Sequence, residues 1–120
     1  MNIKLNYKLW LEKEKKVFGP GPATILEFIE RYGSLHRAAS EMDMSYSQAW
    51  NLINALEERL GFSLVESQTG GKDGGGSDLT AQGKKLLKNF REFEEKADEN
   101  LSRLAQEYFA PEFWQDLQNS

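Results

Sequence analysis

Tyr46, Ser47, Trp50, Asn51 and Asn54 recur at the short steps that bring side chains onto one face of a helix. Their amides, hydroxyls and rings can exchange hydrogen bonds with base edges and pack on thymine methyls and sugars, the chemistry of a helix entering a DNA groove. Other chemistries find little support. His36 is the only histidine, so no second imidazole completes a metal site, and an exposed or phosphate-facing side chain is expected there. Cysteine is absent, which removes thiolate ligands and disulfides and fits a reducing cytoplasm. Carboxylates are plentiful but run along helix surfaces, the usual pattern of a solvated face. The glycine-rich stretch SQTGGKDGGGS fails as a P-loop, because Glu66 stands where its first glycine belongs and Asp73 where Ser or Thr belongs. It fails as a dinucleotide fingerprint too, because Leu79 replaces the third glycine after Gly74 and Gly76. The expectation is a binding protein with no cofactor, no metal and no catalytic residue.

The elements that would hold this face are legible around it. Gly33 closes one helix and Ser34 is an N-cap for the next, in which Leu35, Ala38, Ala39 and Met42 repeat at helical spacing. Asp43 and Met44 leave room for a brief turn before Ser45, whose partner Gln48 completes a capping box. The second helix carries Ala49, Leu52, Ile53, Leu56 and Leu60 on its inner stripe and stops at Gly61. Paired alanines let two helices cross closely, as a helix-turn-helix over 34–60 requires, although ordinary helical hairpins use such pairs as well.

Beyond Gly61, Phe62 to Glu66 and Asp78 to Thr80 are short strand candidates flanking the glycine-rich loop, a wing over 62–80. Lys72 at its tip could reach a phosphate or a minor groove; a loose surface hairpin is the plainer reading of the same residues. Thr80 is the N-cap of a long helix bearing Leu86, Leu87, Phe90, Phe93, Ala97, Leu101, Leu104 and Tyr108, a stripe with no partner inside so small a domain. A second copy is expected to cover it through Leu86, Phe90, Phe93, Ala97, Leu101 and Leu104. The basic block Lys84, Lys85, Lys88 and Arg91 precedes the acidic run Glu92, Glu94, Glu95, Asp98 and Glu99, so an antiparallel pairing opposes unlike charges. Such a homodimer presents two reading helices about 34 Å apart, or a multiple of it, to an inverted repeat. The alternative is that the stripe folds back on its own N-terminal strands.

At the N-terminus, Ile3, Leu5, Tyr7, Leu9 and Leu11 alternate with polar residues and Trp10, and Val17 and Phe18 return, predicting a β-hairpin over 3–18. Gly19 to Pro22 break the chain before a core helix over Ala23 to Tyr32. Pro111 halts the long helix, and Phe113, Trp114 and Leu117 form an aromatic tail. The organisation is a mainly α chain with small β, a winged helix-turn-helix domain over 1–79, a dimerisation helix over 80–110 and a tail over 111–120. Its 120 residues, 39% hydrophobic, support one core without a staple, and no signal peptide or membrane span is visible.

Charge opposes the DNA reading. Between Ser34 and Thr80 stand Arg37, Arg59 and Lys72 against Glu41, Asp43, Glu57, Glu58, Glu66, Asp73 and Asp78. So acidic a unit predicts weak non-specific binding. Distribution offsets part of this, since Glu57 and Glu58 sit at the far end of the second helix while its N-terminal amides favour phosphate. Lys84 and Lys85 add charge outside the motif. The candidate DNA contacts are therefore Ser34, Arg37, Ser45, Tyr46, Ser47, Trp50, Asn51, Asn54, Lys72, Lys84 and Lys85.

The runs MSYSQAW at 44–50 and TGGKDGGGSDLT at 69–80 resemble the N-terminal winged-helix domain of ModE-type molybdate-responsive regulators, related to the LysR-type DNA-binding domain. The resemblance spans roughly residues 5–105. It implies a cytoplasmic, dimeric transcription regulator whose recognition helix runs from Ser45 to Leu60, with Tyr46, Ser47, Trp50 and Asn51 at the DNA. That family senses oxyanions with separate C-terminal domains, and a chain stopping at Ser120 leaves no room for them. A separate effector-binding protein is then an expected partner beside double-stranded DNA. The competing expectation is an acidic winged-helix module that binds another protein.

Overall fold

The structure is a computed structural model that describes residues 3–68 and 76–120. Two short strands, β1 (Leu11–Lys13) and β2 (Lys15–Phe18), form an antiparallel hairpin turned by Glu14 in the left-handed region at φ 65°. Three helices follow: α1 (Pro20–Tyr32), α2 (Leu35–Glu41) and α3 (Tyr46–Leu60). Strands β3 (Val65–Gln68) and β4 (Gly76–Leu79) make a second antiparallel pair, and then come the long α4 (Ala81–Tyr108) and the short α5 (Pro111–Gln118).

Caps fall where the side chains call for them. The Ser34, Ser45 and Thr80 hydroxyls accept hydrogen bonds from the amides of Arg37, Gln48 and Gly83, and Gln48 returns the Ser45 bond in a full capping box. Gly33 and Gly61 end α1 and α3 with φ of 67° and 84°, a conformation that costs glycine little. Pro20 opens α1 earlier than expected, since a first-turn proline gives up no hydrogen bond the helix needs. The last residues form α5 rather than an irregular tail, with Phe109, Phe113 and Trp114 stacked around its start.

The core gathers Phe18, Ile25, Leu26, Ile29, Leu56, Leu64 and Leu79, all essentially inaccessible to solvent. Ala38, Ala39 and Ala49 are also fully buried, and their small side chains let α2 and α3 approach closely. The Ser77 amide donates to the Gly33 carbonyl at 2.9 Å, fastening β4 to the α1–α2 junction.

Two expectations are corrected here. Residues 3–10 take no strand, because β2 ends at Phe18, paired with Leu11, and Pro20 starts a helix; the alternating segment has no strand to pair with. It runs instead beside α4, where the Tyr7 phenol donates to the Asp98 carboxylate at 2.6 Å. The first wing strand lies at 65–68 rather than 62–66. The Glu57 carboxylate takes the amides of Leu64 and Val65 at 2.6 and 3.1 Å, which holds 62–64 as a connector, and pairing continues to Gln68 opposite Gly76.

Helix α4 is about 42 Å long at 1.5 Å per residue. Its first half belongs to the domain. Gly83 sits so close to Leu64 that an added Cβ would strike the Leu64 carbonyl, and Leu87 and Phe90 enter the core. Phe90, expected at a subunit interface, is only 3% exposed and meets Phe18 edge-on at 5.2 Å. Arg91 donates to Glu27 and Thr24 of α1 and to Glu94, clamping α4 to the core. Burial works to lower the Arg91 pKa, but hydrogen bonds to Glu94 and Glu27 and their charges outweigh it and raise it. That guanidinium is engaged within the fold, not offered to phosphate.

Candidate nucleic-acid interface

Helix α3 presents Tyr46, Ser47, Trp50 and Asn51 to solvent while Ala49, Ile53 and Leu56 are buried beneath them. Tyr46 is 41% and Trp50 51% exposed, unusually open for rings of their size on so small a domain. An unexpected neighbour supports the first of these rings. His36 of α2 stacks on Tyr46 with centroids 3.9 Å apart and planes 11° from parallel. Arg37, one residue on, lies over Tyr32 at 4.7 Å and pairs with Glu41 at 3.8 Å, both partners exposed. That leaves its charge largely solvated.

The expected contacts do not all fall on one surface. Ser34 and Ser45 use their oxygens as cap acceptors, keeping a hydroxyl proton for a further acceptor. Asn54 departs from the open face: it is half-buried and lines a crevice between α3 and the wing strands with Leu35, Tyr46, Trp50, Ile53, Glu57, Val65, Ser67 and Ser77. Lys84 and Lys85 are exposed near the start of α4. Lys72 lies outside the described residues. Of the other motif cations, Arg59 donates to the Lys16 carbonyl at 2.8 Å and ties α3 to the β1–β2 hairpin.

Along α4 the expected interface residues split. Phe93 is 50% exposed and Leu104 is exposed too, whereas Leu86, Ala97 and Leu101 are half-covered. The N-terminal segment reaches this helix through the hydrogen bond from Tyr7 to Asp98. Near the chain ends, Ile3, Leu5, Phe109, Pro111 and Trp114 border an open cavity of about 660 Å³. No helix among the described residues is long and apolar enough to cross a membrane.

A three-helix unit with a closely crossed α2–α3 pair, followed by a two-stranded wing and a long helix, defines a winged helix-turn-helix protein. Residues 24–84 match the model of the bacterial regulatory helix-turn-helix proteins of the lysR family, and the chain belongs to that family. It is 37% identical over 82 residues to "Molybdenum transport protein ModE" of Azotobacter vinelandii, covering 68% of this chain and 30% of that protein. It is 38% identical over 80 residues to "DNA-binding transcriptional dual regulator ModE" of Escherichia coli K12, covering 66% of this chain and 30% of the relative. The chain thus spans about a third of the length of these curated relatives. Among solved structures, the CbnR DNA-binding domain in complex with DNA is similar at a TM-score of 0.53 and 25% identity, covering 69% of this chain and 90% of that one.

Proposed function

We propose that this protein is a sequence-specific transcription regulator of the ModE and LysR-like kind, binding double-stranded DNA with α3 in the major groove and the wing alongside. The observation that carries this reading is the exposed row of Tyr46, Ser47, Trp50 and Asn51 on a doubly capped helix seated on a buried alanine crossing. Side chains of this kind carry both donors and acceptors and suit base edges, and the N-terminal amides of α3 suit a phosphate. The relatives' names, a molybdenum transport protein and a DNA-binding transcriptional dual regulator, point the same way.

The functional unit is a homodimer reading an inverted repeat. Exposed Phe93 and Leu104 on α4 support a second copy there, and Phe90 no longer belongs to that set. The net charge of −4 supports a second reading, an acidic module that binds another protein such as a separate effector-binding chain. Selection of bound fragments from genomic DNA by the purified protein, at low and moderate salt, separates the two. An inverted repeat enriched at both salts is the expected result; no enrichment at either salt transfers the assignment to the protein-binding module.

A further inference from the structure

Residues 3–10 alternate like a strand, Ile3, Leu5, Tyr7 and Leu9 against Lys4, Asn6, Lys8 and Trp10, yet they make no backbone hydrogen bond among the described residues. The segment is stretched along α4 in the opposite direction. Tyr7 bonds to Asp98, while Ile3, Lys4 and Leu5 share a cavity with Ala105 and Phe109. From Asp98 to Ala105 the helix rises about 10 Å, which an extended chain covers from Tyr7 to Lys4. An alternating strand with both edges free is a template for another strand.

Charge selects how two copies of this segment pair. Residues facing one another in an antiparallel pair point to the same side, so the apolar set must oppose itself. Centring the ladder on Tyr7 sets Leu5 against the partner's Leu9, Ile3 against the partner's Leu11 and Lys4 against the partner's Trp10, a cation beside a ring. Centring it on Asn6 opposes Lys4 to the partner's Lys8, and centring it on Lys8 opposes that lysine to itself. Like charges directly opposite are destabilising. Helix α4 gives the same centre independently. Ahead of Tyr108 its exposed large apolar residues are Phe93 and Leu104, and their midpoint falls between Asp98 and Glu99, at the carboxylate that Tyr7 holds.

We infer that in the homodimer the two N-terminal segments pair antiparallel over residues 3–11, with Tyr7 facing the partner's Tyr7 across the two-fold axis, as a β layer laid over an antiparallel pair of α4 helices. The partner's Leu9 and Leu11 then fall beside Leu5 and Ile3 and fill the open cavity of about 660 Å³ that these residues border. Leu11, exposed in the single chain, becomes covered. Because Leu11 pairs with Phe18 along its other edge, the layer continues into the β1–β2 hairpin of each copy. The inference rests on the homodimer reading above.

The chain has no cysteine, so introduced thiols report contacts without background. Full-length Ile3→Cys and Leu11→Cys proteins, both altered at exposed positions, are treated with a short bismaleimide linker, each alone and as a jointly refolded mixture, and resolved on a denaturing gel. In mixed dimers the two thiols lie directly opposite, whereas in either protein alone they are eight strand residues apart, about 26 Å. Cross-linked dimer should be several-fold more abundant in the mixture than in either protein alone. Equal yields in all three samples, or none in the mixture while sedimentation shows the wild type to be dimeric, would overturn the strand pairing and leave the homodimer standing. A wild-type chain that sediments as a monomer at every concentration, with Phe93→Glu and Leu104→Glu changing nothing, would overturn the homodimer reading itself.

Discussion

His36 and Tyr46 stack face to face across the α2–α3 turn, centroids 3.9 Å apart. The first ring of the proposed reading face is thus held by the helix before it. An aromatic pair contributes about 0.5–1.5 kcal/mol beyond area burial. His36→Ala should therefore lower affinity for the preferred operator roughly 2- to 13-fold, while His36→Phe, which keeps the stack and loses the imidazole, should restore it. Equal losses in both variants, measured by titration on a labelled duplex, would point to a direct imidazole contact instead.

Asn51 and Lys85 should separate reading from holding. Asn51→Ala is expected to relax sequence preference at one position, with a loss of about 1–3 kcal/mol on the preferred site only. Lys85→Ala should weaken every sequence alike and reduce the salt slope by about one. Competition with scrambled duplexes over a salt series checks both, and unchanged binding in the two variants would sink this assignment of contacts.

Glu57 is one of the acidic residues whose charge opposes DNA, yet its carboxylate caps the amides of Leu64 and Val65 at the root of the wing. Hydrogen bonds to a charged group contribute about 1.5–3 kcal/mol each. Glu57→Ala should lower the stability seen in urea unfolding by an amount of that order, and Glu57→Gln, whose carbonyl can still accept, by less. If the two variants unfold with the same midpoint as wild type, the cap does not hold the wing.

Gly83→Ala tests how α4 is seated. The added methyl would meet the Leu64 carbonyl, whose oxygen also accepts from the Thr80 amide at 2.9 Å, so backbone must shift. Overpacking of this sort costs about 1–3 kcal/mol. In an isolated helix the same change would be favourable by about 0.5–1 kcal/mol. A stability gain on thermal or urea unfolding would therefore contradict the close approach.

The Tyr7 phenol donates to Asp98, and that hydrogen bond, with partial desolvation and the nearby carboxylate charges, holds its pKa above the ordinary 10.0. The folded state then favours the protonated phenol. Its contribution is complete below pH 10 and disappears as pH rises through the raised value. Phenolate absorbance should show one late-titrating tyrosine in the wild type, and Tyr7→Phe should remove it. A curve that loses an ordinary component instead would argue against the contact.

Much of this was legible because the deciding forces act over a few residues. Ser34, Ser45 with Gln48, Thr80, Gly33 and Gly61 announce helix ends, and side-chain periodicity separates the buried stripe of α3 from its open face. The open polar face of α3 follows from those two facts alone. Periodicity cannot name a partner, however, and there the sequence was ambiguous. Leu86 to Leu104 reads as one stripe, but its near end, including Phe90, packs on Phe18 while Phe93 remains open. Ile3 to Trp10 alternates like a strand, yet a strand needs a paired neighbour and β2 ends too soon.

What the sequence by itself determined is the order of elements, their caps and the polar row on α3, because each depends on bonds between residues close in the chain. Only the tertiary structure decided how the charges are used. Arg91 goes to Glu27, Arg59 to the Lys16 carbonyl and Glu57 to the wing amides, all contacts between separate elements. It also moved Asn54 from the open face into a crevice whose other wall is the wing. The approach of a distant strand produces that burial, and it is not written in local spacing.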